Sequence, residues 1–512
     1  MITRLQIDGF KNLVGVDIRF GPFTCIAGTN AVGKSNLFDA IRFLSDLTNK
    51  TIVDAASLVR SGSKTRDLFH RVENTYTNKI SFLVEMIIPG EGTDDLGQSA
   101  EATITTVRYE LELAYRSNDN LGTQGTLEIL REELSPITLG EARRNISFYP
   151  NLNSLNQKEQ NAVKKKERAW KDSVIWGRRP AKFISTEGIG EDRKINFHQD
   201  GGSGGRPVRR KASQLPRTIL STANALENPT ALIVKNEMQS WKMLQLEPNA
   251  LRSPDDFTAT TNATLGTNGS HLPATLYRLQ HEEGNSYPDI CQHLANRLYE
   301  LVADVAYIDI DRDDKRELLT LMLRTRDNTT LPARALSDGT LRFLGLAILE
   351  LDPRSGSVIC LEEPENGIHP EKIPSILRLL QDIATDINFE VGDDNPLRQV
   401  ITNTHSPSVV QQVPEDSLLM AELREDIDEY GNFFKKAVFT PLDNTWRTRL
   451  DKNTPTTSLG HLLAYLNPTE TEEEYSEVND LNTIVDKVRK RVIDRDDVRR
   501  SQGLQLSMFY ES

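Results

Sequence analysis

A glycine-rich loop near the start of the chain carries residue types that bind phosphate groups. The segment GTNAVGKS (28–35) follows a short apolar run, FTCIA (23–27), and precedes LFDAIRFLSDL (37–47), which has helical spacing. Successive backbone N–H groups in such a loop, at the start of a helix, attract a phosphate anion. In this pattern the Lys34 ammonium reaches the outer phosphates and the Ser35 hydroxyl binds Mg2+. The loop predicts a site for a nucleoside triphosphate with Mg2+.

Two neighbouring glutamates form a second group that could do chemistry. Glu362 and Glu363 follow the apolar run SVICL (357–361), and Pro364 then ends the strand that this run predicts. Adjacent carboxylates repel each other, and burying either of them is costly. Alternation at the end of a strand turns the two side chains apart. The pair is therefore a candidate for a chemical role at this strand end.

Two further segments lie on either side of these glutamates along the chain. ALSDGTLRFLGLAILEL (335–351) is a loop that opens an apolar helix, and it lies about twenty residues before LEEPENGIHP (361–370). RQVITNTHSP (398–407) is an apolar strand that ends in a polar tip with His405. Together with the glycine-rich loop, they give a series of motifs whose order can be compared with known families.

This series resembles the ATP-binding cassette (ABC) ATPases of the SMC/Rad50/RecF-like group. LSDGT (336–340) is similar to the linker sequence LSGGQ of that group, and VICLEE (358–363) is similar to its Walker B strand. ENGIH (365–369) is similar to the D-loop, and NTHS (403–406) is similar to the histidine switch. IDGFKNL (7–13) resembles the N-terminal strand and turn of the group.

The resemblance implies a role for each candidate residue. Glu363 would be the base that orients the attacking water, with His405 as the switch and Lys34 on the phosphates. Ser35 and Glu362 would hold Mg2+. The residues expected at the ATP molecule are Lys11, Gly28, Thr29, Asn30, Ala31, Val32, Gly33, Lys34, Ser35, Asn36, Ser337, Asp338 and Gly339.

The chain departs from the pattern of the resembled group at three points. Most relatives have Asp where Glu362 stands, and Gly where Asp338 stands. Ser337 and the Gly339 backbone are still expected to reach a γ-phosphate. No convincing Q-loop glutamine follows the first helix, and the segment RDLFHR (66–71) occupies about the right region.

The fold expected from these motifs is an α/β fold of the ABC ATPase head type. It consists of a mixed central sheet, flanking helices and an antiparallel β subdomain, joined to an α-helical or irregular insertion. The central sheet carries the glycine-rich loop 28–35, which is called the P-loop from here on. The expected divisions are 1–145, the N-terminal half of the head with the P-loop and β subdomain; 146–315, a partly basic, flexible and mostly helical insertion; 316–466, the C-terminal half with the linker motif, Walker B strand, D-loop and histidine switch; and 467–512, an acidic linker, an amphipathic helix and a tail peptide.

A single P-loop and a single linker motif in one chain imply a second copy. In the resembled group, the linker motif of one subunit caps the ATP that is held by the P-loop of another. We therefore expect a head-to-tail homodimer, or a larger assembly, with two nucleotides at the interface.

Charge is distributed unevenly along the chain. The formal net charge of -13 argues against a generally basic nucleic-acid binder. Residues 151–220, however, hold 16 Lys and Arg against 7 Asp and Glu. This segment could contact the phosphates of DNA or RNA, and it could equally be a solvated surface insertion. The candidate contacts are Lys164, Lys165, Lys166, Arg178, Arg179, Arg209, Arg210 and Lys211.

The resemblance also implies control of an effector. Single-head ATPases with short insertions resemble those of bacterial anti-phage defence systems, such as the Septu ATPase subunit, in which a separate HNH nuclease supplies cleavage. The chain shows no DxD pair after a strand and no HNH-like cluster, so we expect an ATPase without its own nuclease site. The alternatives are a RecF-like ATPase of DNA repair or recombination, and a non-catalytic scaffold that ATP switches for a protein effector.

The last residues contain a short peptide that suggests one more partner. QLSMF (505–509) resembles the QL[S/D]LF peptide by which bacterial repair proteins dock on the sliding clamp, with Gln505, Leu506, Met508 and Phe509 as anchors. The alternative is an amphipathic tail that packs on its own head or on a partner nuclease. No segment approaches ~18 unbroken apolar residues, and the first residues have no apolar h-region, so we expect no membrane partner and a cytoplasmic location.

Overall fold

The computed structural model describes residues 1–60, 65–116, 125–152, 155–200, 205–282, 287–302, 304–466 and 491–495. Within these ranges the strands, in chain order, are β1 (Ile2–Asp8), β2 (Val16–Arg19), β3 (Phe23–Ala27), β4 (Arg71–Val72), β5 (Thr75–Tyr76), β6 (Lys79–Ile87), β7 (Glu91–Thr93), β8 (Ser99–Glu101), β9 (Thr106–Arg116), β10 (Thr126–Pro136), β11 (Ile184–Glu187), β12 (Lys194–Phe197), β13 (Val208–Lys211), β14 (Lys242–Leu244), β15 (Asp255–Asp256), β16 (Val305–Asp313), β17 (Leu318–Thr325), β18 (Thr330–Pro332), β19 (Val358–Glu362), β20 (Gln399–Thr404), β21 (Leu418–Ile427) and β22 (Phe433–Pro441).

The helices of the same ranges alternate with these strands along most of the chain. They are α1 (Lys34–Asp46), α2 (Ile52–Ser57), α3 (Leu139–Asn145), α4 (Gln157–Val174), α5 (Pro229–Gln239), α6 (Pro248–Arg252), α7 (Leu272–His281), α8 (Tyr287–Tyr299), α9 (Asp338–Leu351), α10 (Ile373–Ile383), α11 (Pro407–Gln412), α12 (Trp446–Leu450) and α13 (Leu459–Leu466). None of the helices in the described ranges combines the length and the hydrophobicity needed to cross a bilayer.

The central sheet brings together the strand ends at which the sequence motifs lie. Its strand order is β14-β19-β20-β3-β21-β22. All neighbouring strands are parallel except β21 and β22, which form an antiparallel hairpin at one edge. Because the carboxyl ends of parallel strands meet at one edge of a sheet, the residues after β3, β14, β19 and β20 lie side by side.

Both faces of the central sheet are covered, as its continuous apolar strands require. Ile26, Cys360 and Ile401 belong to a hydrophobic core shared with α1 and the antiparallel sheet. Their neighbours Cys25 and Ile359 belong to a second core, which contains the apolar residues of α7, α8, α9 and α10. The period-2 alternation of side chains thus divides the interior into two cores.

An eight-stranded antiparallel sheet packs on the side of α1. Its strand order is β13-β12-β11-β10-β9-β6-β1-β2. Phe43 of α1 lies 5.9 Å from the ring of Phe82 on β6 and 6.1 Å from the ring of Phe10, measured between ring centroids. These aromatic contacts fix the helix that begins at the P-loop against the antiparallel sheet.

The predicted fold class is confirmed: the chain has a mixed central sheet with the P-loop, flanking helices and an antiparallel β subdomain. The division into domains stays a prediction, but residues 146–315 are less helical than we expected. They supply β11, β12 and β13 to the antiparallel sheet and β14 to the central sheet. These strands are at most four residues long, and tertiary pairing rather than local pattern determines them. The predicted acidic linker (467–480) lies outside the described residues.

One carboxylate is buried in the middle of the antiparallel sheet. Glu132 of β10 is fully buried and accepts hydrogen bonds from the backbone N–H groups of Ile219 (2.7 Å) and Leu220 (2.8 Å), and from the Tyr109 hydroxyl (3.3 Å). Burial raises the pKa of Glu132 to about 7, and the backbone hydrogen bonds limit this rise. Glu132 therefore ties the chain at 219–220 to the sheet.

Replacing this carboxylate is expected to change both stability and its pH dependence. In Glu132→Gln the amide N–H group faces a backbone N–H donor, which should cost about 1–3 kcal/mol. Because the folded-state pKa is raised from 4.5 to about 7, the wild-type chain loses stability as the pH rises through this window, and the Gln variant does not. The difference in Tm between the two proteins should therefore narrow from pH 5 to pH 7.5.

The control for this prediction is Glu128→Gln, a change on the same strand at a partly exposed side chain. Its Tm should stay close to the wild-type value at both pH values. If the Tm difference for Glu132→Gln instead widened with rising pH, the ionised carboxylate would be the stable form in the fold.

Candidate functional site

The P-loop connects β3 to α1 through a backbone that has no room for side chains at two positions. A Cβ atom on Gly28 would lie 2.4 Å from the Ala421 backbone oxygen. Gly33 has a φ of +111°, which L-residues rarely adopt. Helix α1, all of whose residues are described, has no side-chain cap and no acidic residue in its first turn. Its N-terminal N–H groups and the positive end of its dipole therefore face the loop.

Lys34 is buried at the start of α1 and is directed back into the loop. Its ammonium donates hydrogen bonds to the carbonyl oxygens of Gly28 (2.5 Å) and Thr29 (2.8 Å). Burial lowers the pKa of Lys34, while the charges of Glu363 and Glu365 act in the opposite direction. The loop thus holds a desolvated cation at its centre.

A cleft of 370 Å³ opens between the P-loop and the ends of β14 and β19. The two adjacent glutamates form one of its walls. The residues that line it are Asn30, Ala31, Gly33, Lys34, Ser35, Asn36, Leu244, Gln245, Leu246, Arg342, Leu346, Leu361, Glu362, Glu363, Pro364, Asn366 and Asn403.

An arginine that the sequence analysis missed binds Glu362. The Arg60 guanidinium donates to both carboxylate oxygens of Glu362, at 2.8 and 3.1 Å. Burial raises the pKa of Glu362, but the hydrogen bonds and charge of Arg60, with a smaller contribution from Ser35, leave it below its usual value. Arg60 also donates to Asp39 at 2.9 Å, and Asp39 accepts from Lys11 at 2.7 Å. Four charged side chains thus form a row, Lys11–Asp39–Arg60–Glu362.

Glu363 has a different set of partners because its backbone is left-handed, with a φ of +47°. Its N–H group lies 3.1 Å from both the backbone oxygen and the side-chain Oδ1 of Asn403. One carboxylate oxygen lies 2.6 Å from His405 Nδ1, and the other accepts from the Asn366 amide at 2.8 Å. A left-handed conformation costs on the order of 1–3 kcal/mol at a residue other than Gly. It turns the carboxylate of Glu363 away from that of Glu362.

A third carboxylate, Glu365, lies beneath the loop and is largely buried. Burial raises its pKa, although the Thr404 hydroxyl donates a hydrogen bond to its Oε1. Its Oε2 has no hydrogen-bond partner among the described residues. The charge of Glu365 acts on Lys34 and raises the pKa of that ammonium, against the effect of burial.

The linker motif lies outside the cleft. The side chains of Ser337 and Asp338 are exposed, and the Ser337 hydroxyl caps α9 by accepting from the Thr340 N–H group at 3.2 Å. A Cβ on Gly339 would lie 2.5 Å from the Gly367 backbone oxygen, so the linker motif packs directly on the D-loop. Among the described residues that line the cleft, none belongs to the linker motif.

Two arginines hold the linker helix in place. Arg342, one turn into α9, lines the cleft and donates to the backbone oxygens of Leu246 (3.2 Å) and Asn366. Arg252 donates to the Asp338 carboxylate at 2.5 Å. Asp338 thus has a partner within its own chain.

Gln245 is the lining residue that the sequence analysis most clearly missed. It follows β14 directly, at the edge where the other motifs meet. The segment considered instead, 66–71, lies elsewhere: His70 is buried, its Nδ1 lies 2.6 Å from the Lys11 carbonyl oxygen, and its ring packs edge-on against Phe434. A three-residue strand and its glutamine give little local signal within a segment that was assigned to an insertion.

The structure brings most of the candidate nucleotide residues together. Asn30, Ala31, Gly33, Lys34, Ser35 and Asn36 line the cleft, and Gly28, Thr29 and Val32 belong to the same loop. Lys11 does not line the cleft, and it is connected to it through Asp39 and Arg60. Residues 151–220 do not contribute to the described lining. The tail peptide at 505–509 lies outside the described residues.

The chemistry of the donor groups fits a nucleoside triphosphate with Mg2+. The Ser35 hydroxyl and the Glu362 carboxylate line the cleft together, and oxygen ligands of this kind suit Mg2+. The P-loop N–H groups and Lys34 supply donors for phosphate oxygens.

Short stretches of the chain are similar to proteins named "DNA replication and repair protein RecF". The protein from Porphyromonas gingivalis is 38% identical over 65 residues, which is 12% of this chain and 18% of the relative. The protein from Magnetococcus marinus is 37% identical over 82 residues, which is 14% of this chain and 22% of the relative. The matches thus span about a fifth of the length of these relatives.

Solved SMC head domains overlap with most of the chain, but loosely. A head bound to the C-winged helix domain of ScpA has 13% sequence identity and a TM-score of 0.45, with 86% of this chain and 98% of that chain covered. The SMC head domain from Thermotoga maritima has 13% identity and a TM-score of 0.34, with 86% and 99% covered.

A family profile gives the most extensive match. The family described as "AAA domain, putative AbiEii toxin, Type IV TA system" matches residues 23–161 and 223–411, which together exceed half of the chain. The matched ranges contain the P-loop, Gln245, the linker motif, the two adjacent glutamates and His405. The chain therefore belongs to this AAA-domain family.

Proposed function

We propose that this protein binds and hydrolyses ATP, dimerises head-to-tail around the nucleotide, and thereby regulates a DNA-directed effector. The observation that carries the proposal is the convergence of separate chain segments at one sheet edge. The P-loop follows β3, Gln245 follows β14, the two glutamates end β19, and His405 follows β20.

Each of these groups has a specific task in the proposed reaction. Lys34 and the loop N–H groups bind the phosphates, and Ser35 with Glu362 would hold Mg2+, which when bound supplies positive charge to the transferring phosphoryl group. Glu363 orients the attacking water and accepts its proton. His405, 2.6 Å from the Glu363 carboxylate, fixes the direction of that carboxylate.

We assign Gln245 as the Q-loop residue of this site. It lies on the wall contributed by β14, at the end of the strand next to β19. From there its amide could contact Mg2+ or the water near Glu363, because ligands of such sheets bind at the carboxyl ends of the strands.

The proposed dimer follows from the position of the linker motif. Ser337 and Asp338 are exposed at the start of α9, and no residue of the linker motif is among the described residues that line the cleft of the same chain. A linker motif that lies outside its own cleft is matched by a P-loop cleft that its own linker motif does not cap. A second copy would satisfy both.

For the effector, we propose a separate nuclease of the HNH type in an anti-phage defence system. The family description refers to a type IV toxin–antitoxin system, which supports a role among several components. The similarity to RecF proteins supports the alternative, a DNA repair or recombination ATPase. Copurification with the product of a neighbouring gene distinguishes them: an HNH nuclease supports the first, and a repair protein supports the second.

Removing the proposed base should separate ATP binding from turnover. Glu363→Gln is expected to lower the rate of phosphate release by about 10²- to 10⁴-fold, because the attacking water loses its proton acceptor, while ATP binding persists. Lys34→Ala should lose both ATP binding and turnover, because the phosphates lose the cation that binds them. Phosphate release and binding of a fluorescent ATP analogue measure the two effects. Glu371→Gln, at an exposed carboxylate, is the control. Wild-type turnover in Glu363→Gln would rule out Glu363 as the base.

Blocking the linker motif should prevent dimer closure alone. In Ser337→Arg a long cation occupies the proposed contact with the partner's nucleotide. The variant should therefore remain a monomer when ATP is present, although the monomer still binds ATP. Light scattering in the Glu363→Gln background, which keeps ATP intact, measures the mass. Ser99→Arg, at an exposed serine of β8, is the matched control. An ATP-dependent dimer of Ser337→Arg would contradict the proposed interface.

The bond between Arg60 and Glu362 should affect the need for Mg2+. Arg60 and Mg2+ both require the Glu362 carboxylate, so Arg60→Ala is expected to lower, several-fold, the Mg2+ concentration at which ATP binding is half-maximal. A Mg2+ titration at fixed ATP concentration measures this. A higher Mg2+ requirement would mean that Arg60 helps to hold the bound nucleotide.

A further inference from the structure

The outer strand of the antiparallel sheet is unusually basic. All four residues of β13 (Val208–Lys211) are exposed, and within the described residues β13 pairs on one side only, with β12. Its sequence, VRRK, contains three cations and no acid. We name the group formed by Lys194, Arg206, Arg209, Arg210 and Lys211 the basic edge.

The cations of the basic edge differ from the others on the same sheet. Elsewhere, cross-strand acids neutralise the cations: Arg108 lies 2.7 Å from Glu85, and Arg131 lies 2.8 Å from Glu110. Among the described residues, no member of the basic edge takes part in an ion pair of this kind. The sheet thus carries a local excess of positive charge at this end alone.

The strand register brings like charges together. Lys194 lies directly opposite Lys211 on one side and directly opposite Glu187 of β11 on the other, so the like charges meet on the side of the outer strand. Arg209 and Arg179 both act on His198: burial lowers the pKa of His198, and the charges of the two arginines lower it further. Cations therefore gather on this part of the surface from two strands and from the segment before β11.

We propose that the basic edge binds the phosphate backbone of a nucleic acid, which makes the proposed DNA-directed function more specific. Arg209 and Lys211 project from one face of β13 and Arg210 from the other, so a polyanion along the edge can contact both. Hydrogen bonds from free strand N–H groups add contacts of the kind that position a backbone without reading bases. A chain with a net charge of -13 needs such a local surface to approach a polyanion at all.

Three other predicted contacts lie on a different element. Lys164, Lys165 and Lys166 belong to helix α4, which holds six Lys and Arg against three Asp and Glu and packs through its apolar residues into a third core. One cation of this helix, Lys171, pairs with Glu167 at 2.8 Å. The three lysines carry the same charge as the three cations of β13 at another place on the surface, so they provide a control of the same size and sign.

The segment that follows the basic edge contacts the region around the end of α1, the helix that starts at the P-loop. Ala212, directly after Lys211, is buried, and the Pro216 carbonyl oxygen accepts from the Ile52 N–H group at 2.9 Å. The Thr218 hydroxyl donates to the Leu47 carbonyl oxygen, at the end of α1, at 3.0 Å. A bound nucleic acid would therefore contact the ATPase head itself.

Charges on an edge strand also prevent aggregation, and the test must separate this role from binding. Either sign of charge protects an edge, but only cations bind phosphates. The triple variant Arg209→Glu, Arg210→Glu, Lys211→Glu therefore keeps the protection and removes the proposed binding. The triple variant Lys164→Glu, Lys165→Glu, Lys166→Glu is the matched control on α4.

Binding is measured by fluorescence anisotropy with duplex DNA, single-stranded DNA and single-stranded RNA of one length, over a range of NaCl concentrations. For at least one of the three, the β13 variant should bind at least ~10-fold more weakly than wild type, and the slope of log Kd against log salt should fall by about 2–3. The α4 variant should change Kd by less than about 3-fold. The three probes show which nucleic acid is preferred, and thermal unfolding checks that both variants fold.

Three results would overturn the proposal: no binding of any nucleic acid by the wild type, equal losses in both variants, or binding of acidic peptides alone. ATP turnover, measured on the same preparations, separates this proposal from the one on which it rests. ATP turnover without nucleic-acid binding would contradict the proposal for the basic edge and would support the proposed ATPase function. Nucleic-acid binding that depends on β13, in a protein without ATP turnover, would support the proposal for the basic edge and contradict the proposed ATPase function.

Discussion

The repulsion between two neighbouring carboxylates shapes the centre of this protein. Glu362 and Glu363 are consecutive at the end of β19, and both line the cleft. The left-handed backbone of Glu363 turns the two carboxylates apart, and each has its own partner. Arg60 binds Glu362, and His405 lies against Glu363. The partners come from distant parts of the chain, so the two halves of the fold must assemble before the pair is neutralised. The strain at Glu363 is offset by the contacts of its N–H group with Asn403.

The parallel central sheet gives this pair its chemical setting. One sheet edge collects the P-loop, the glutamates, Gln245 and His405, as the geometry of parallel strands requires. The same topology leaves the linker motif on the outside of α9, where it contacts its own D-loop rather than its own cleft. In the proposed dimer, this arrangement would let the linker motif of one copy complete the cleft of the other.

The parts of the site that lie on consecutive residues could be predicted from the sequence, because a loop of eight residues contains its own geometry. The P-loop and the adjacent glutamates are of this kind. Arg60 and Gln245 were missed because their role depends on tertiary contacts with a strand more than a hundred residues away. For the same reason β11, β12 and β13 were assigned to an insertion: their few apolar residues acquire a pattern only when β10 lies beside them. The fold class was predictable, and the boundaries within it were not.

Lys34 and Arg60 are both already hydrogen-bonded in the structure described here, Lys34 to carbonyl oxygens of its own loop and Arg60 to Glu362. Under the proposed function, nucleotide binding at this site would therefore be an exchange of partners, in which internal bonds break as external ones form. The affinity for ATP would then reflect the balance between two sets of interactions. In such a balance a small structural change elsewhere in the head, by loosening or tightening the internal set, alters nucleotide occupancy without touching a single atom that contacts the ligand.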